Sequence, residues 1–397
     1  MRRAPTAARA LTLAAALVAA SLTTTAATTA AGATTAGAPS AAGAPADGRI
    51  AFNDFGTGQI YAVNPNGTAL TQLTHEPSGI VARWPAWSPD GSGLLFVRWN
   101  PANGMGRIWT MNADGTGQRP FASDAPGYRD YQPRYTPDGR RIVFARCAPN
   151  DGLCAIWIMR ADGTHRRLVI PSIEFPNETN DFDPAVSPDG RHLTFTRFGF
   201  NGIASQVWVA DISGAHAHPL TAPRLEAFGA AWSPDGTHIA FASNSTRPQS
   251  AVYVMRADGT DVTRLAATKW PANSFGPAYA PGGDQIAFAS DRLYPDLCCV
   301  NLFLMQSGGS QQHPIATGLQ GVIDIGWGTA PLVPAGSPGT LGRPPASVRV
   351  PGAAHDARCH LTPAGQRGQS GNGAARGACA GGGYGAAAPW RSAQAGP

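Results

Sequence analysis

The chain has 397 residues, six cysteines and a formal net charge of +5 at pH 7. The positive surplus lies outside the central region, because residues 48–330 contain 21 Lys and Arg against 23 Asp and Glu, a net charge of −2. A folded region without overall basic character argues against nucleic acid as a partner. No stretch of the sequence has the length and apolarity expected of a membrane span.

The N-terminal stretch predicts export. Three arginines precede an apolar run over residues 10–20 that is too short to span a bilayer permanently, and small residues typical of a cleavage region follow. Residues 1–33 are therefore interpreted as a secretory signal peptide and residues 34–47 as a flexible linker. We expect the mature protein to be a secreted monomer in the extracellular or cell-wall space.

From residue 48 onwards the chain repeats one hairpin. Residues 85–98 read PAWSPDGSGLLFVR, and similar Pro-Asp-Gly or Pro-Gly-Gly turns come back four more times. Proline presets φ and glycine accepts positive φ, so Asp90 and its counterparts are interpreted as turn residues. A third strand with an aromatic residue, a second glycine turn and a short fourth strand complete each unit. Four short strands per unit are typical of a propeller blade.

The spacing of one position in the first strand predicts the number of blades. It recurs every 46–51 residues, at Trp87, Tyr135, Val186, Trp232, Tyr279 and Trp327. The last of these has no strands after it, whereas RIAF at 49–52 and QIYAV at 59–63 lack a first strand. We therefore predict an all-β, six-bladed β-propeller over 48–330, closed by pairing of the C-terminal strand with the N-terminal blade.

The repeat W-S-P-D-G…I-A-F…I-Y-V-M-x-A-D-G resembles the TolB-type (WD-like) β-propeller repeat over residues 48–330. This resemblance implies the fold but no single activity, since such repeats occur in envelope scaffolds and in the propellers of prolyl-oligopeptidase-like enzymes. Neither the TolB N-terminal domain nor a G-x-S-x-G hydrolase element accompanies the repeats, so we expect a propeller that acts alone. Residues 331–397, rich in Pro, Gly, Ala and Arg, are predicted to be a disordered low-complexity tail.

The candidate binding face lies opposite the Pro-Asp-Gly turns, where the connections vary in length and chemistry. Arg98, Arg146 and Arg197 each stand two residues after a second-strand phenylalanine, which predicts a basic arc near the mouth of the central channel. The arc is either an anion contact or a set of inter-blade salt bridges to aspartates on nearby connections. The aspartates considered as partners are Asp130, Asp181 and Asp183.

The first strands and the variable connections beside them supply the other candidates. Paired carboxylates there could serve acid–base chemistry or hold a cation, and exposed aromatic rings would suit sugar stacking or a protein contact. The charged candidates are Arg83, Asp130, Asp181, Asp183 and Asp324. The aromatic candidates are Trp84, Trp99, Tyr131 and Trp270, of which the three tryptophans are the better surface candidates.

Metal and cofactor sites are not indicated by the histidines, none of which has ligand spacing. We expect no cofactor and no catalytic residue. Calcium at the oxygen-rich loop NETNDFDP, residues 177–184, stays open, with a hydrogen-bonded capping loop as its alternative.

The cysteines suit an exported protein. Cys147 and Cys154 flank one hairpin, so a disulfide across that hairpin is predicted. For the adjacent Cys298 and Cys299 three states stay open: a disulfide between neighbours, two free thiols, or a link to the tail cysteines, Cys359 and Cys379.

These observations predict an exported, non-enzymatic binding or scaffold module for a protein, peptide or glycan. The alternatives are a glycan lyase or hydrolase with a carboxylate cluster at the channel mouth, and an accessory propeller for a separately encoded peptidase. Clustering of Asp130, Asp183 and Asp324 around an open pocket would favour the enzyme.

Overall fold

The fold is seen in a computed structural model, which describes residues 48–121, 127–149, 153–172, 178–199, 204–246, 249–266, 272–294, 299–334 and 336–341. The interpreted signal peptide and linker and most of the tail lie outside these ranges. Within the ranges, no helix is long and apolar enough to cross a membrane.

The described residues form twenty-four strands in six four-stranded antiparallel sheets, which are the blades of a propeller. The inner strands are β4 (Val81–Trp87), β8 (Arg129–Tyr135), β12 (Thr179–Val186), β16 (Ala227–Trp232), β20 (Ser274–Tyr279) and β24 (Val322–Trp327). The second strands are β1 (Ile50–Asp54), β5 (Gly93–Asn100), β9 (Arg141–Cys147), β13 (His192–Gly199), β17 (His238–Thr246) and β21 (Gln285–Ser290).

The third and outer strands complete each sheet. The third strands are β2 (Gln59–Val63), β6 (Met105–Asn112), β10 (Cys154–Arg160), β14 (Gln206–Asp211), β18 (Gln249–Arg256) and β22 (Asn301–Gln306). The outer strands are β3 (Thr71–Gln72), β7 (Arg119–Pro120), β11 (Arg167–Ile170), β15 (His218–Pro219), β19 (Thr263–Ala266) and β23 (His313–Pro314), and a 3₁₀ turn covers Pro223–Leu225. Blade 1 consists of β24, β1, β2 and β3; blades 2 to 6 follow in chain order.

The ring closes as predicted. The C-terminal strand β24 pairs antiparallel with β1, so that Trp327 faces Ile50 and Val322 faces Asp54. The indole Nε1 of Trp327 donates to the carbonyl oxygen of Gly48 at 2.9 Å, which holds the two ends of the propeller together. This pairing supplies the inner strand of blade 1 and removes an exposed sheet edge.

The hydrophobic core is divided among the six interfaces between neighbouring blades. Each interface has its own cluster of buried side chains drawn from two adjacent blades. Every cluster includes the phenylalanine of one second strand, and all six are fully buried: Phe52, Phe96, Phe144, Phe195, Phe241 and Phe288. The second strand of each blade, which is the repeated apolar strand in the sequence, therefore packs neighbouring blades together.

The Pro-Asp-Gly turns are structural, as predicted. The turn glycines have positive φ, for example +70° at Gly91 and +72° at Gly236. The aspartates accept hydrogen bonds inside their own turns: Ser88 Oγ donates to Asp90 Oδ1 at 2.6 Å and Ser233 Oγ to Asp235 Oδ1 at 2.5 Å. These hydroxyl contacts lower the pKa of both carboxyls, which stay ionised turn residues.

The predicted disulfide between Cys147 and Cys154 is present. The two cysteines are directly opposite each other where β9 ends and β10 begins, so the bond closes the hairpin between them. Cys299 is buried, and its Sγ donates to Gln320 Oε1 at 3.4 Å. Cys298, Cys359 and Cys379 lie outside the described residues, so their states stay open.

The stretch predicted to be a disordered tail starts at residue 331, and the structure describes its first part beside blade 1. Asn64 Nδ2 donates to the carbonyl oxygen of Val333 at 2.7 Å. The backbone amide of Leu341 donates to the carbonyl oxygen of Leu70 at 2.6 Å. Residues 342–397 are not among those described, and the interpretation of them stays a prediction.

Candidate functional site

Six residues occupy one level of the inner strands, which are the strands nearest the central channel. In each inner strand the pairing with its neighbour shifts register at the same point, and the residue there has a left-handed backbone with φ between 50° and 63°. We call these residues the channel ring: Trp84, Gln132, Asp183, Gly229, Gly276 and Asp324. A left-handed backbone is strained for residues with a Cβ atom, and such strain concentrates at functional sites.

Arg83 and Asp324 join blades 2 and 1 in one wall of the channel. Arg83 Nε donates to Asp324 Oδ2 at 2.8 Å, and its Nη2 donates to Oδ1 at 3.2 Å. The guanidinium also lies over the ring of Trp84, 4.2 Å from the centroid, and 5.8 Å from that of Trp99. The Arg83 side chain keeps 19% exposure while the Asp324 side chain has none, so the arginine is the member of the pair that an entering ligand can reach.

A chain of hydrogen bonds links the channel-ring residues of blades 3, 4 and 5. The Asp183 amide donates to Gln132 Oε1 at 2.9 Å, and Gln132 Nε2 donates back to the Asp183 carboxylate. Thr196 Oγ1 donates to Asp183 Oδ2 at 3.1 Å and accepts from the amide of Gly229 at 3.1 Å. This chain of contacts holds the Asp183 carboxylate in one orientation.

The Asp183 carboxyl has an unusual acidity for an aspartate. Desolvation within the channel wall raises its pKa to about 6, against the lowering effects of the Thr196 hydroxyl and the Arg134 charge. The charge of Asp324 raises it further, so the two ring carboxylates interact electrostatically. Asp183 therefore changes charge near neutral pH.

Two neighbouring positions of the channel ring have no side chain. Gly229 and Gly276 occupy the ring positions of blades 5 and 6, and a Cβ atom at Gly229 would meet no other heavy atom within 4 Å. The ring thus places hydrogen-bond donors and acceptors on one side and free space at Gly229. Such a site can accept a polar segment that lies against the Arg83, Gln132 and Asp183 side.

The family of the repeat follows from comparison with known proteins. Residues 154–316 match the family model of the TolB β-propeller domain. Over these residues the repeat is of the TolB type. Solved structures agree on the fold: TolB from Acinetobacter baumannii is 20% identical, with a TM-score of 0.57 over 73% of this chain and 69% of that chain.

Two further structures share the fold of this TolB-type propeller. The putative TolB from Agrobacterium tumefaciens is 21% identical, with a TM-score of 0.53 over 68% of this chain and 88% of that one. A chain of a nidogen/laminin complex is 13% identical, with a TM-score of 0.53 over 71% of this chain and 99% of that one. At these identities the likeness extends to the fold alone.

The arginine arc of this TolB-type propeller is built into its blades. Arg146 donates to Asp130 from Nε at 2.6 Å and from Nη2 at 2.9 Å. Arg197 donates to Asp181 at 2.8 and 2.7 Å in the same way. The salt bridges to Asp130 and Asp181 are present, but they do not join neighbouring blades: each pair joins the first and second strands of one blade, where the two residues are directly opposite.

The third arginine of the arc differs from the other two. Arg98 Nε donates to Glu76 Oε2 at 2.7 Å, and this glutamate lies on the connection between blades 1 and 2. The Arg98 side chain is 33% exposed, compared with 6% for Arg146 and 10% for Arg197. Within the arc, Arg98 is therefore the member best placed to meet a ligand.

The aromatic candidates divide between core and surface. Trp84 was predicted as a surface residue and this was wrong: it is 8% exposed, and Tyr131 packs edge-on against it at 5.4 Å between ring centroids. Trp84 is buried because its left-handed backbone turns it into the cluster between blades 2 and 3. Trp99 is partly exposed beside Arg83. Trp270 lies outside the described residues.

The carboxylate candidates do not form one cluster of three. Asp183 and Asp324 belong to the channel ring, whereas Asp130 is 1% exposed and bound to Arg146 in the body of blade 3. In the part of the chain that the structure covers, no group of three or more His, Cys, Asp and Glu side chains could hold a metal ion. The calcium loop begins outside that part, so calcium there stays a prediction.

Sequence reasoning missed the ring as a unit, together with Arg134 and Thr196. A signal was present: four of the six ring residues precede a proline, and each stands three residues before the first-strand position that counts the blades. Aligning the repeats there shows Arg134 where the other blades have Ala86, Ala185, Ala231, Ala278 and Gly326. The register shift that brings these residues to the channel is not visible in the sequence.

Proposed function

We propose that this TolB-type propeller is an exported, non-enzymatic binding module. Its ligand is a segment of a protein, peptide or glycan that enters the channel from the face opposite the Pro-Asp-Gly turns. The observation that carries this proposal is the asymmetric channel ring, polar and held in place on the side of Asp183 and Asp324 and open at Gly229. A preorganised polar wall beside free space lowers the cost of ordering a ligand.

The entry face supports the same proposal. Arg98 and Trp99 lie towards that end of β5, and both side chains are partly exposed. Arginine and tryptophan side chains are the types that most often dominate binding energy in protein interfaces. The disulfide between Cys147 and Cys154, together with the interpreted signal peptide, supports export to an oxidising compartment.

The contacts of the ring carboxylates favour binding over catalysis. Asp324 is bound by Arg83, and Asp183 by Gln132 and Thr196. A lyase or hydrolase with a three-carboxylate centre would need Asp130 beside them, and Asp130 is committed to Arg146. The raised pKa of Asp183 instead makes ligand affinity depend on pH between about 5 and 7.

The test is to identify ligands with the full-length protein and then fill the space at Gly229. Immobilised protein is screened against a peptide-display library and a glycan array, and selected ligands are titrated by calorimetry. Gly229→Trp places a large side chain where a Cβ atom would meet no heavy atom within 4 Å, with some backbone strain because φ is +63°. We expect Gly229→Trp to weaken binding at least tenfold.

The control variant is His238→Ala, an exposed residue beside a Pro-Asp-Gly turn on the opposite face. Binding by this variant should match the wild type. Selected ligands that bind Gly229→Trp as tightly as the wild type, with its cooperative melting retained, would place their site elsewhere. Cleavage of a ligand by the wild type but not by Asp183→Asn would replace the binding proposal with the enzyme alternative.

A further inference from the structure

Blade 3 carries a basic concavity on the face opposite the proposed entry. It is lined by Asp138, Arg140, Arg141, Arg160, Ala161 and Asp162, at the ends of β9 and β10. Arg140 and Arg160 are exposed and Arg141 is partly exposed. None of the three guanidiniums makes a hydrogen bond or ion pair with any other residue that the structure describes.

Two of these arginines are directly opposed. Arg141 and Arg160 are Cα partners across β9 and β10, which places their side chains side by side on neighbouring strands. Like charges in that arrangement are destabilising. The equivalent pairs in four other blades avoid this combination of two permanent cations: Gly93 with Asn112, His192 with Asp211, His238 with Arg256, and Gln285 with Gln306.

Two other blades show how a charge at this position is neutralised. In blades 2 to 6, the residue five positions after the end of the third strand has positive φ. In blade 5 that residue is Asp261, which accepts from Arg256 Nε at 2.6 Å. In blade 4 it is His216, whose Nδ1 lies 2.7 Å from Asp211 Oδ2.

Blade 3 lacks this neutralisation, because the equivalent residue is His165, and the third strand ends with Arg160. Both members of the pair are basic.

The two carboxylates in the concavity offset its charge only in part: Asp138 interacts with the charges of Arg140 and Arg141, and Asp162 with that of Arg160, which leaves three cations against two anions. Asp138 Oδ1 accepts from the Thr136 hydroxyl at 2.5 Å, and Asp162 Oδ1 accepts from that of Thr164 at 2.6 Å. Both aspartates accept a hydrogen bond from a hydroxyl in their own turn. Other blades have the same arrangement, as at Asp90 and Asp258. What distinguishes blade 3 is the excess of arginine.

We propose that the concavity of blade 3 is an oxyanion site that binds a phosphate or sulfate group between Arg141 and Arg160, with Arg140 at its edge. Guanidinium groups present paired N–H donors that match tetrahedral oxyanions, and a bound dianion removes the repulsion between the opposed arginines. The proposal does not depend on the channel ring, since the two sites lie on different elements of the blades.

The experiment titrates the full-length protein with sodium sulfate, inorganic phosphate and O-phosphoserine by calorimetry, at ionic strength held constant with sodium chloride. The variant is Arg141→Gln/Arg160→Gln, and the matched control is Arg256→Gln, the same position in blade 5, where Asp261 neutralises the charge. We expect saturable binding that the double variant weakens at least tenfold and the control leaves within twofold. Affinity should fall as sodium chloride is raised.

Comparison of the three titrations also distinguishes a free anion from a phosphate group on a larger molecule. Equal affinity for phosphate and O-phosphoserine points to a free ion, and tighter binding of the ester points to a phosphate group carried on a larger molecule. The double variant should melt as cooperatively as the wild type, because it loses a repulsive pair. The proposal is overturned if the wild type shows no saturable heat with any of the anions, or if the folded double variant binds them equally well.

Discussion

At the scale of single residues, burial decides what a repeated side chain does. Arg98 and Arg197 stand at the same position of two blades, and both form an ion pair. The Arg197 pair is almost completely buried, since Asp181 has no exposure, whereas Arg98 is one-third exposed. A buried carboxylate that loses its partner is costly, while an exposed pair contributes little.

The substitution Arg197→Leu should therefore cost about 3 kcal/mol of the free energy of unfolding at pH 7. Arg98→Leu is the matched control, and its loss should not exceed about 1 kcal/mol. Urea denaturation followed by circular dichroism measures both. Equal losses in the two variants would mean that the buried pair contributes no more than the exposed one.

The Asp183 carboxyl predicts a pH dependence of stability. Its pKa is raised from about 4 in the unfolded chain to about 6 in the fold, so the native state binds this proton more tightly. The contribution of this group to stability is complete below about pH 4 and is lost as the pH rises through about 6. Asp183→Asn removes the titrating group but keeps an oxygen that accepts from Thr196.

The measurement is the free energy of unfolding at about pH 4.5 and pH 7 in the wild type and in Asp183→Asn. The fall in stability between the two pH values should be smaller in the variant. Asp181, whose burial also raises its pKa to about 6, contributes the same trend in both proteins. A pH dependence unchanged by the substitution would place the titration of Asp183 outside this range.

At the scale of elements, the hairpins were largely predictable and the inner strands were not. Turn residues, apolar runs and the paired cysteines are local signals, because a hairpin brings together residues that are near in sequence. The left-handed residue in each inner strand depends on pairing with the strand that follows and on packing between blades. Trp84 illustrates the difference. The sequence shows that its side chain is large and apolar, but not that the left-handed backbone at this residue accompanies burial of the ring between blades 2 and 3.

The hairpin between β9 and β10 gives the prediction at this scale. Cys147→Ser/Cys154→Ser opens a loop with a sequence separation of 7, and loop-closure entropy predicts a loss of about 2.5 kcal/mol. Urea denaturation with and without a thiol reductant measures it. The reductant should destabilise the wild type by a similar amount and leave the double variant unchanged; a reductant effect in the variant would implicate another bond.

At the scale of the whole molecule, stability depends on closing the ring. Each of the six core clusters lies between two blades, so an open ring exposes two cluster surfaces and the edge of β1. Among the described residues, β24 is the strand that pairs the end of the propeller with its beginning, and the paired residues Asp54 and Val322 are 268 positions apart.

Truncation tests this closure. Removing residues 322–397 deletes β24, and we expect loss of cooperative melting and association through the exposed strand edge. Removing only residues 342–397 keeps every described contact and should preserve a cooperative, monomeric transition. Circular dichroism melting and light scattering distinguish the two. A cooperative monomer without β24 would show that the remaining interfaces suffice.

The sequence alone determined the repeat, the number of blades, the closure by Trp327 and the disulfide between Cys147 and Cys154. Each of these follows from turn chemistry, strand patterning or short separations along the chain. Only the tertiary structure decided that Arg146 and Arg197 are committed to aspartates of their own blades, and that Asp183 and Asp324 share a channel with Arg83. Those contacts depend on strand register and on the distance between blades, which pattern and composition do not encode.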